Sequence, residues 1–203
     1  RAFLPRKNRI KGEKFKVGDV VKSVIRRVYT DKNGIRMELS RTSPRFLEAL
    51  LYAEVPEIKD ELVEVKMCAR IPGERAKIVL KSNSASVDAV GATVGQKGVR
   101  INAVSKELHN ENIDCIEYCE EQALLITRAL APAIINAVKI EENKAIVTLN
   151  TEQKSKAIGK SGINIRLASM LTGFEIELKE LGGEKAEISS EEAMKNLESL
   201  FKS

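Results

Sequence analysis

The pattern of apolar and polar positions divides the chain into an N-terminal pair of strands and two longer units that repeat one order of elements. Alternation predicts the N-terminal strands at 17–29 and 35–41, joined by a turn at 31–34 whose Asn-Gly pair suits a tight hairpin. The first unit is predicted to contain a helix at 44–53, strands at 62–71 and 75–81, a helix ending at 94, a helix at 99–108 and a strand at 113–118. The second is predicted to contain a helix at 120–130, strands at 134–141 and 145–150, a helix at 153–158, a helix ending at 172 and a strand at 174–178. Each unit therefore has the order α-β-β-α-α-β, which places the chain in the α+β class.

The two central strands of the first unit alternate strongly enough to predict which side chains face the core. The odd-numbered residues of 63–71 are all apolar, and Ala76, Ile78 and Leu80 are the inward set of the next strand. The opposite faces then carry a row of basic residues, which are Lys66, Arg70, Arg75, Lys77 and Lys81. We expect this row to be a solvated strand face, with a second basic binding surface as the alternative.

One short pattern occurs twice, at 94–101 and at 158–165. Each copy is an aliphatic residue, Gly-x-x-Gly with a lysine inside, and the start of a helix. Glycine lets the backbone come close to a bulky ligand, while the lysine and the helix N-terminus favour a phosphate. This combination resembles the loop of the KH domain, which clamps about four nucleotides of single-stranded nucleic acid. The duplication and the element order predict tandem type II KH domains with single-stranded RNA as the partner.

The candidate RNA-binding residues are those of the two loops and the polar residues that follow. Lys97 and Lys160 are expected to face phosphates, and Arg100 and Arg166 to reach a phosphate or stack on a base, with a surface role as the alternative for each arginine. Only 4% of the chain is aromatic, so hydrogen bonds from groups such as Asn164 are favoured over stacking for base recognition. The full candidate set is Gly95, Gln96, Lys97, Gly98, Arg100, Gly159, Lys160, Ser161, Gly162, Asn164 and Arg166.

Composition argues against several other functions. The 203 residues carry a net charge of +5, and basic residues concentrate in 1–41, which favours a polyanionic partner. Three cysteines without a paired spacing and one histidine, His109, argue against a metal site, a disulfide framework and Ser-His-Asp chemistry. The Gly159-Lys160-Ser161 stretch resembles the end of a Walker loop, but Lys154 stands where the earlier glycine is required. We therefore expect no enzyme, no cofactor, no membrane span and no signal peptide, and a cytoplasmic location.

Longer stretches resemble the NusA family of bacterial transcription elongation, termination and antitermination factors. They include Leu4-Pro5-Arg6, Lys16-Val17-Gly18-Asp19, the Pro-Gly-Glu-Arg-Ala-Lys-Ile stretch at 72–78, Ala131-Pro132-Ala133 and residues 158–169. The similarity runs in unbroken order from residue 1 to about residue 180. It implies an RNA-binding region that modulates pausing, termination and antitermination. It also implies RNA polymerase and other antitermination factors as partners of the full-length family member.

The residue pattern and the resemblance together predict the domain boundaries. Residues 1–41 are expected to be part of an S-one-type OB-fold β-barrel, 42–118 the first KH domain, 119–181 the second KH domain, and 182–203 a hinge and a short C-terminal helix. A KH-containing ribosome-associated or RNA-decay module is the alternative function. The stretch at 72–77 and the tandem arrangement favour the NusA-like function over that alternative.

Overall fold

The computed structural model describes residues 1–181, so the hinge and helix expected at 182–203 lie outside the described residues. The chain divides into two compact units, Arg1–Cys119 and Glu120–Ser203. The first unit contains two three-stranded sheets, and the described part of the second contains one. Helices and strands are mixed in both units, and the predicted α+β class is confirmed.

The N-terminal sheet consists of β1 (Ala2–Phe3), β2 (Val24–Asp31) and β3 (Gly34–Ser40), in the order β1-β3-β2. β2 and β3 form the predicted antiparallel hairpin, and β1 runs parallel to β3. The prediction of a strand from residue 17 is wrong, because the Lys16 N–H donates to the Asp19 carboxylate at 2.7 Å and folds this stretch into a turn. Val20 is consequently 94% exposed. An OB-type barrel for residues 1–41 stays a prediction.

The rest of the first unit follows the predicted order. Its elements are α1 (Pro44–Glu54), α2 (Pro56–Lys59), β4 (Val63–Ile71), β5 (Arg75–Ser82), α3 (Ala89–Val94), α4 (Val99–Glu107) and β6 (Asn112–Glu117). The Ser43 side chain accepts from the Arg45 N–H at the start of α1, where Pro44 loses nothing by lacking an N–H. The sheet has the order β4-β5-β6, with β5 antiparallel to β4 and parallel to β6. The short helix α2 is an addition to the predicted order.

The second unit repeats this arrangement. Its elements are α5 (Gln122–Ala129), β7 (Ala137–Glu141), β8 (Lys144–Leu149), α6 (Lys154–Ile158), α7 (Ile163–Thr172) and β9 (Glu175–Glu180). Its sheet has the order β7-β8-β9, with β8 antiparallel to β7 and parallel to β9. Gly173 ends α7 at a φ of 77°, a left-handed conformation that suits glycine. In both units each Gly-x-x-Gly loop joins two helices, and the strand after the second helix forms one edge of the sheet.

Arg70 does not face solvent as the alternation of its strand predicts. The pairing of β4 with β5 shifts between Val65 and Met67, which is a β-bulge. A bulge inserts one residue into a strand and so changes the facing of the side chains beyond it. Arg70 is therefore turned into the protein, where its guanidinium lies 2.9 Å from the Glu111 carboxylate and both side chains are 0% exposed. The shift also brings Cys68 against the hydrophobic core.

Lys77 is the second exception to the predicted basic row. It is 0% exposed, and its ammonium group donates to the Asp114 carboxylate at 2.8 Å. A charged acceptor of this kind is what makes a buried lysine tolerable. Lys66 and Lys81 lie over the ring of Tyr118, at 5.8 and 5.4 Å from its centroid. The predicted row therefore does not form a continuous basic surface.

Candidate nucleic-acid interface

The two Gly-x-x-Gly loops have nearly the same backbone conformation. Gly95 has φ and ψ of 75° and 171°, and Gly159 has 74° and 174°. Both closing glycines are left-handed, Gly98 at 75° and 14° and Gly162 at 72° and 11°. In each copy the closing glycine donates its N–H to the carbonyl of the opening one, at 3.1 Å in the first loop and 3.2 Å in the second. The repeated sequence pattern therefore corresponds to a repeated three-dimensional structure.

A residue other than glycine also adopts the left-handed conformation in each loop. Lys97 has φ and ψ of 53° and 27°, and Ser161, at the same position of the second loop, has 55° and 24°. An L-residue pays roughly 1–2 kcal/mol for this conformation. Three of the four loop residues in each copy thus have positive φ, which produces a tight turn with its middle residues exposed.

The opening glycine of each loop leaves no room for a side chain. A Cβ atom on Gly95 would lie 2.8 Å from Cγ of Arg100, and one on Gly159 would lie 2.7 Å from Cβ of Asn164. These distances are shorter than van der Waals contact, so the close approach of the loop to the next helix depends on glycine. Nothing lies within 4 Å of a Cβ atom on Gly162.

Arg100 and Asn164 occupy the same position of the repeat, five residues after the opening glycine. The Arg100 guanidinium donates to the Ala92 carbonyl at 2.7 Å. The Asn164 amide donates to the Lys156 carbonyl at 3.3 Å, and to the Ala157 and Leu130 carbonyls at 3.0 and 3.1 Å. Both side chains therefore tie the helix after the loop to the helix before it.

These contacts change the interpretation of two candidate residues. Asn164 is 2% exposed, and the structure uses its amide to hold backbone rather than to present it to a ligand. Arg100 also pairs with the Glu57 carboxylate at 2.7 Å, so part of its charge is neutralised. Each side chain also has a partner that is distant in sequence, since Glu57 lies 43 residues from Arg100 and Leu130 lies 34 residues from Asn164. Spacing within the motif alone therefore could not distinguish a bracing residue from an exposed one.

The candidate side chains between the glycines are exposed, whereas the four loop glycines are partly buried. Gln96, Lys97, Lys160 and Ser161 are all exposed, and so is Arg166 on the following helix. Within residues 1–181, Lys97, Lys160 and Arg166 have no ion-pair partner. Each loop leads directly into a helix of nine or ten residues, whose N-terminus adds partial positive charge. The surface at each loop therefore has the electrostatic character that an anion requires.

A groove of about 400 Å³ runs beside the first loop, between α4 and the edge strand β6. Its lining includes Ile101, Asn102 and Ser105 of α4, Asn112, Ile113 and Asp114 of β6, and Arg75 of β5. Asn102 connects the groove to the loop, because its side-chain nitrogen lies 3.2 Å from where a Cβ atom on Gly98 would be. Asn102 therefore borders both the loop and the groove.

Asp114 is a polar residue of this groove that the motif did not identify. Arg75 donates to it through two nitrogens, at 2.8 and 3.0 Å. Burial disfavours its charged form, but hydrogen bonds from Arg75 and Lys77 outweigh burial and hold the pKa of Asp114 below its ordinary value. Asp114 is therefore an anionic acceptor in a groove whose other lining residues are one arginine and neutral side chains. In the sequence, only its position in the alternating strand 113–118 indicates that Asp114 could lie on a strand face beside the loop.

Between residues 1 and 181, no three His, Cys, Asp or Glu side chains cluster in a way that could hold a metal ion. Over the same range, no helix combines the length and the apolar character needed to cross a membrane.

Comparison with known proteins agrees with this geometry. Residues 41–118 match the family described as the NusA-like first KH domain, and residues 122–186 match the NusA-like second KH domain. Together with the repeated sheet, loop and helices, these matches define a protein with tandem KH domains. The crystal structure of APE1850 aligns with a TM-score of 0.49 and 18% identity, covering 67% of this chain and 97% of that chain.

Curated relatives are similar to this chain over almost its whole sequence. The transcription termination/antitermination protein NusA of Helicobacter pylori strain 26695 is 49% identical over 98% of this chain and 58% of its own length. The NusA protein of Thermus thermophilus is 38% identical over 99% of this chain and 56% of its own length. The chain belongs to the NusA family. It spans a little over half the length of the curated relatives that it matches.

Proposed function

We propose that this chain binds single-stranded RNA through its two Gly-x-x-Gly loops and the groove beside the first of them. In this role it is the RNA-holding region of a NusA-like transcription factor that modulates pausing, termination and antitermination. The observation that carries the proposal is the pair of loops with one backbone conformation, each exposing a lysine that has no ion-pair partner among residues 1–181. Its family relatives are named as transcription termination/antitermination proteins, which supports the assignment to transcription.

The loop geometry explains how a phosphate would be held. The opening glycines let the loop lie close to its own following helix, and nothing lies within 4 Å of a Cβ position at Gly162, so an RNA backbone can approach the second loop there without meeting a side chain. Lys97 in the first loop, and Lys160 in the second, supplies a full positive charge beside the helix N-terminus that follows. Both terms are electrostatic and independent of sequence, so they give affinity rather than specificity.

Single strands fit this surface better than duplexes. The groove beside the first loop is lined by two isoleucines, short polar side chains and Arg75, which suits an unstacked base presenting its edge. In a duplex the bases are stacked and paired, so they cannot enter such a groove. The two loops together would grip about eight nucleotides if each holds about four. RNA polymerase and other antitermination factors are the proposed partners of the full-length protein.

The test is a set of charge reversals in the loops. One variant carries Gln96→Asp with Lys97→Asp, and another carries Lys160→Asp with Ser161→Asp. Each changes the loop charge by three units next to a phosphate. One pair of unit charges about 7 Å apart in water interacts by about 0.6 kcal/mol, so three units amount to about 1.8 kcal/mol before screening. We expect each variant to bind single-stranded RNA roughly five- to twentyfold more weakly in fluorescence anisotropy titrations.

A matched control is available at β7, the edge strand of the second unit's sheet that lies opposite β9. Asn136→Asp with Lys139→Asp makes the same charge change at exposed positions next to and within β7. It should reduce affinity less than twofold, while circular dichroism reports an intact fold for all three variants. Equal affinity losses in the control and the loop variants would show that only net charge matters. Unchanged affinity in both loop variants would refute the proposed function.

A further inference from the structure

The Arg100 guanidinium is held through only one of its nitrogens. Nη1 donates to the Glu57 carboxylate and to the Ala92 carbonyl, both at 2.7 Å, which uses both of its hydrogens. Ala92 lies in the last turn of α3, where backbone carbonyls lack a donor within their own helix, so this bond also satisfies the end of α3. Two acceptors on one nitrogen fix the direction in which the rest of the guanidinium points.

The other nitrogens of Arg100 keep their donors. Nε and Nη2 carry three N–H groups, and none of these groups has a hydrogen-bond partner within residues 1–181. The side chain is 28% exposed, so a ligand can reach it. Nε and Nη2 form a planar edge that matches two oxygens of one phosphate. Arg100 therefore offers an unoccupied two-pronged donor, even though Glu57 neutralises part of its charge.

This donor edge lies beside the opening glycine of the first loop. A Cβ atom on Gly95 would be 2.8 Å from Cγ and 3.1 Å from Cδ of Arg100, and Nε is bonded directly to that Cδ. The exposed Lys97 is two residues further along the same loop. A phosphate at the loop would therefore lie near both cations.

Glu57 is itself fixed by the short helix α2. It lies in the first turn of α2, and its carbonyl accepts from the Leu62 N–H at 2.9 Å. Arg100 is its ion-pair partner, and the Glu57 side chain is 29% exposed. A fixed acceptor limits the rotamers that the arginine samples, so less side-chain freedom is lost when a phosphate binds. The negative charge of Glu57 has the opposite effect, because it repels the phosphate.

The second unit has no equivalent of this pair. Asn164 occupies the position of Arg100, and it is neutral and 2% exposed. The second unit also has no helix that corresponds to α2, because β7 follows α5 in its described part without another helix between them. The held arginine is therefore a property of the first KH domain.

We propose that Glu57 is a positioning residue for phosphate binding in the first KH domain. Together with the Ala92 carbonyl, it holds Nη1 of Arg100 so that Nε and Nη2 donate to two oxygens of one RNA phosphate at the first loop. The inference rests on the proposed function, because the phosphate belongs to the strand that the loops hold. The feature that matters at position 57 is the hydrogen-bond acceptor, since the charge alone opposes binding.

Two substitutions separate the acceptor from the charge. Glu57→Gln removes the negative charge but keeps an acceptor for Nη1, whereas Glu57→Ala removes both. The protein is the full chain carrying Lys160→Asp and Ser161→Asp, so that the first domain dominates binding, and the probe is a fluorescein-labelled uridine octamer in anisotropy titrations.

The two variants should differ in affinity although they carry the same charge. Glu57→Gln should bind as tightly as its parent, or up to about threefold more tightly, because one repulsion is lost. Glu57→Ala should bind roughly three- to tenfold more weakly than Glu57→Gln, because Arg100 must then be ordered by the RNA itself. Its slope of log affinity against log salt should also be shallower by up to about 0.7, the value of one phosphate contact on a single strand.

Repeating the comparison in an Arg100→Met background distinguishes positioning from folding. Methionine keeps an unbranched side chain against Gly95 but has no guanidinium, so Glu57→Gln and Glu57→Ala should then bind equally. The same two substitutions at Glu54, which is exposed at the end of α1, should also bind equally in the presence of Arg100.

The outcomes distinguish this inference from the proposed function. Equal or reversed affinities of Glu57→Gln and Glu57→Ala would overturn the positioning role while leaving RNA binding by the loops intact. A difference that persists in the Arg100→Met background would also overturn it, because the effect would then come from α2 and not from Arg100. Absence of RNA binding by the unmodified chain would overturn the proposed function and the positioning role together.

Discussion

Replacing Asn164 by alanine should destabilise the second unit without removing a side chain that contacts RNA. Its amide nitrogen donates to the carbonyls of Leu130 and Ala157 at 3.1 and 3.0 Å and, less closely, to that of Lys156 at 3.3 Å. The side chain is 2% exposed, so water does not readily replace these bonds. The substitution therefore disconnects the start of α7 from the ends of α5 and α6.

The magnitude follows from the bonds that are lost. Two good hydrogen bonds are worth about 1 kcal/mol each, and the loss of the donor to the buried Ala157 carbonyl adds roughly 1–3 kcal/mol, whereas the Leu130 carbonyl keeps its bond from the Ala133 N–H. One contribution has the opposite sign, because the buried Oδ1 of Asn164 has no hydrogen-bond partner and its removal is favourable. The net cost is about 2–3 kcal/mol. For a unit of this size it corresponds to a fall in melting temperature of roughly 10 °C or more.

Hydrogen exchange of α6 and α7, measured by mass spectrometry, locates the effect, and thermal unfolding by circular dichroism gives its size. Arg166→Ala is the matched comparison, since this arginine is exposed on the same helix and has no ion-pair partner within residues 1–181. It should change stability by less than about 0.5 kcal/mol and weaken RNA binding instead. If Asn164→Ala leaves exchange and melting unchanged but weakens RNA binding, the bracing role is refuted and the direct contact expected from the motif is correct.

Three further outcomes are expected. Gly159→Ala should destabilise the second unit more than Gly162→Ala in thermal unfolding, because its methyl group would lie 2.7 Å from an atom of α7 while Gly162 has nothing within 4 Å. The thiols of Cys68 and Cys115, whose pKa burial raises to about 12, should resist iodoacetamide at mildly alkaline pH and react once urea unfolds the protein, as followed by mass spectrometry. Glu111→Ala should cost roughly 3–5 kcal/mol in urea unfolding, because it leaves a fully buried guanidinium unpaired.

The order of elements could be predicted because the signals for it are local. Apolar periodicity, the proline after Ser43 and the glycine at 173 each act within a few residues, and the structure confirms α1, β5 and α7 from such signals. The facing of Arg70 could not be predicted, because its strand alternates without interruption in sequence. The bulge that reorients it is favoured by pairing with Glu111, which is 41 residues away. Alternation therefore fails to predict which face of a strand a side chain lies on when a partner distant in sequence determines its orientation.

The features of the candidate site also divide into those that local sequence predicts and those that distant contacts determine. The loops follow from glycines at fixed spacing, since a glycine adopts positive φ at little cost whatever surrounds it. The roles of the polar residues after the loops depend on what the fold places beside them. Arg100 meets Glu57 because α2, an element outside the predicted order, lies near α3 and brings that carboxylate to it. Asp114 becomes a groove residue only when β6 pairs with β5.

The two KH domains have one loop geometry and different chemistry around it, so they are not interchangeable. The bracing position holds an arginine paired with a carboxylate in the first domain and a neutral, buried asparagine in the second. Lysine is the second intervening residue of the first loop, in the left-handed conformation, and the first intervening residue of the second loop. The backbone therefore needs only glycines and any side chain that can donate to the preceding helix. Because that requirement is so permissive, the charged positions are free to differ, so under the proposed function each domain would hold a phosphate in the same way and expose different side chains beside it.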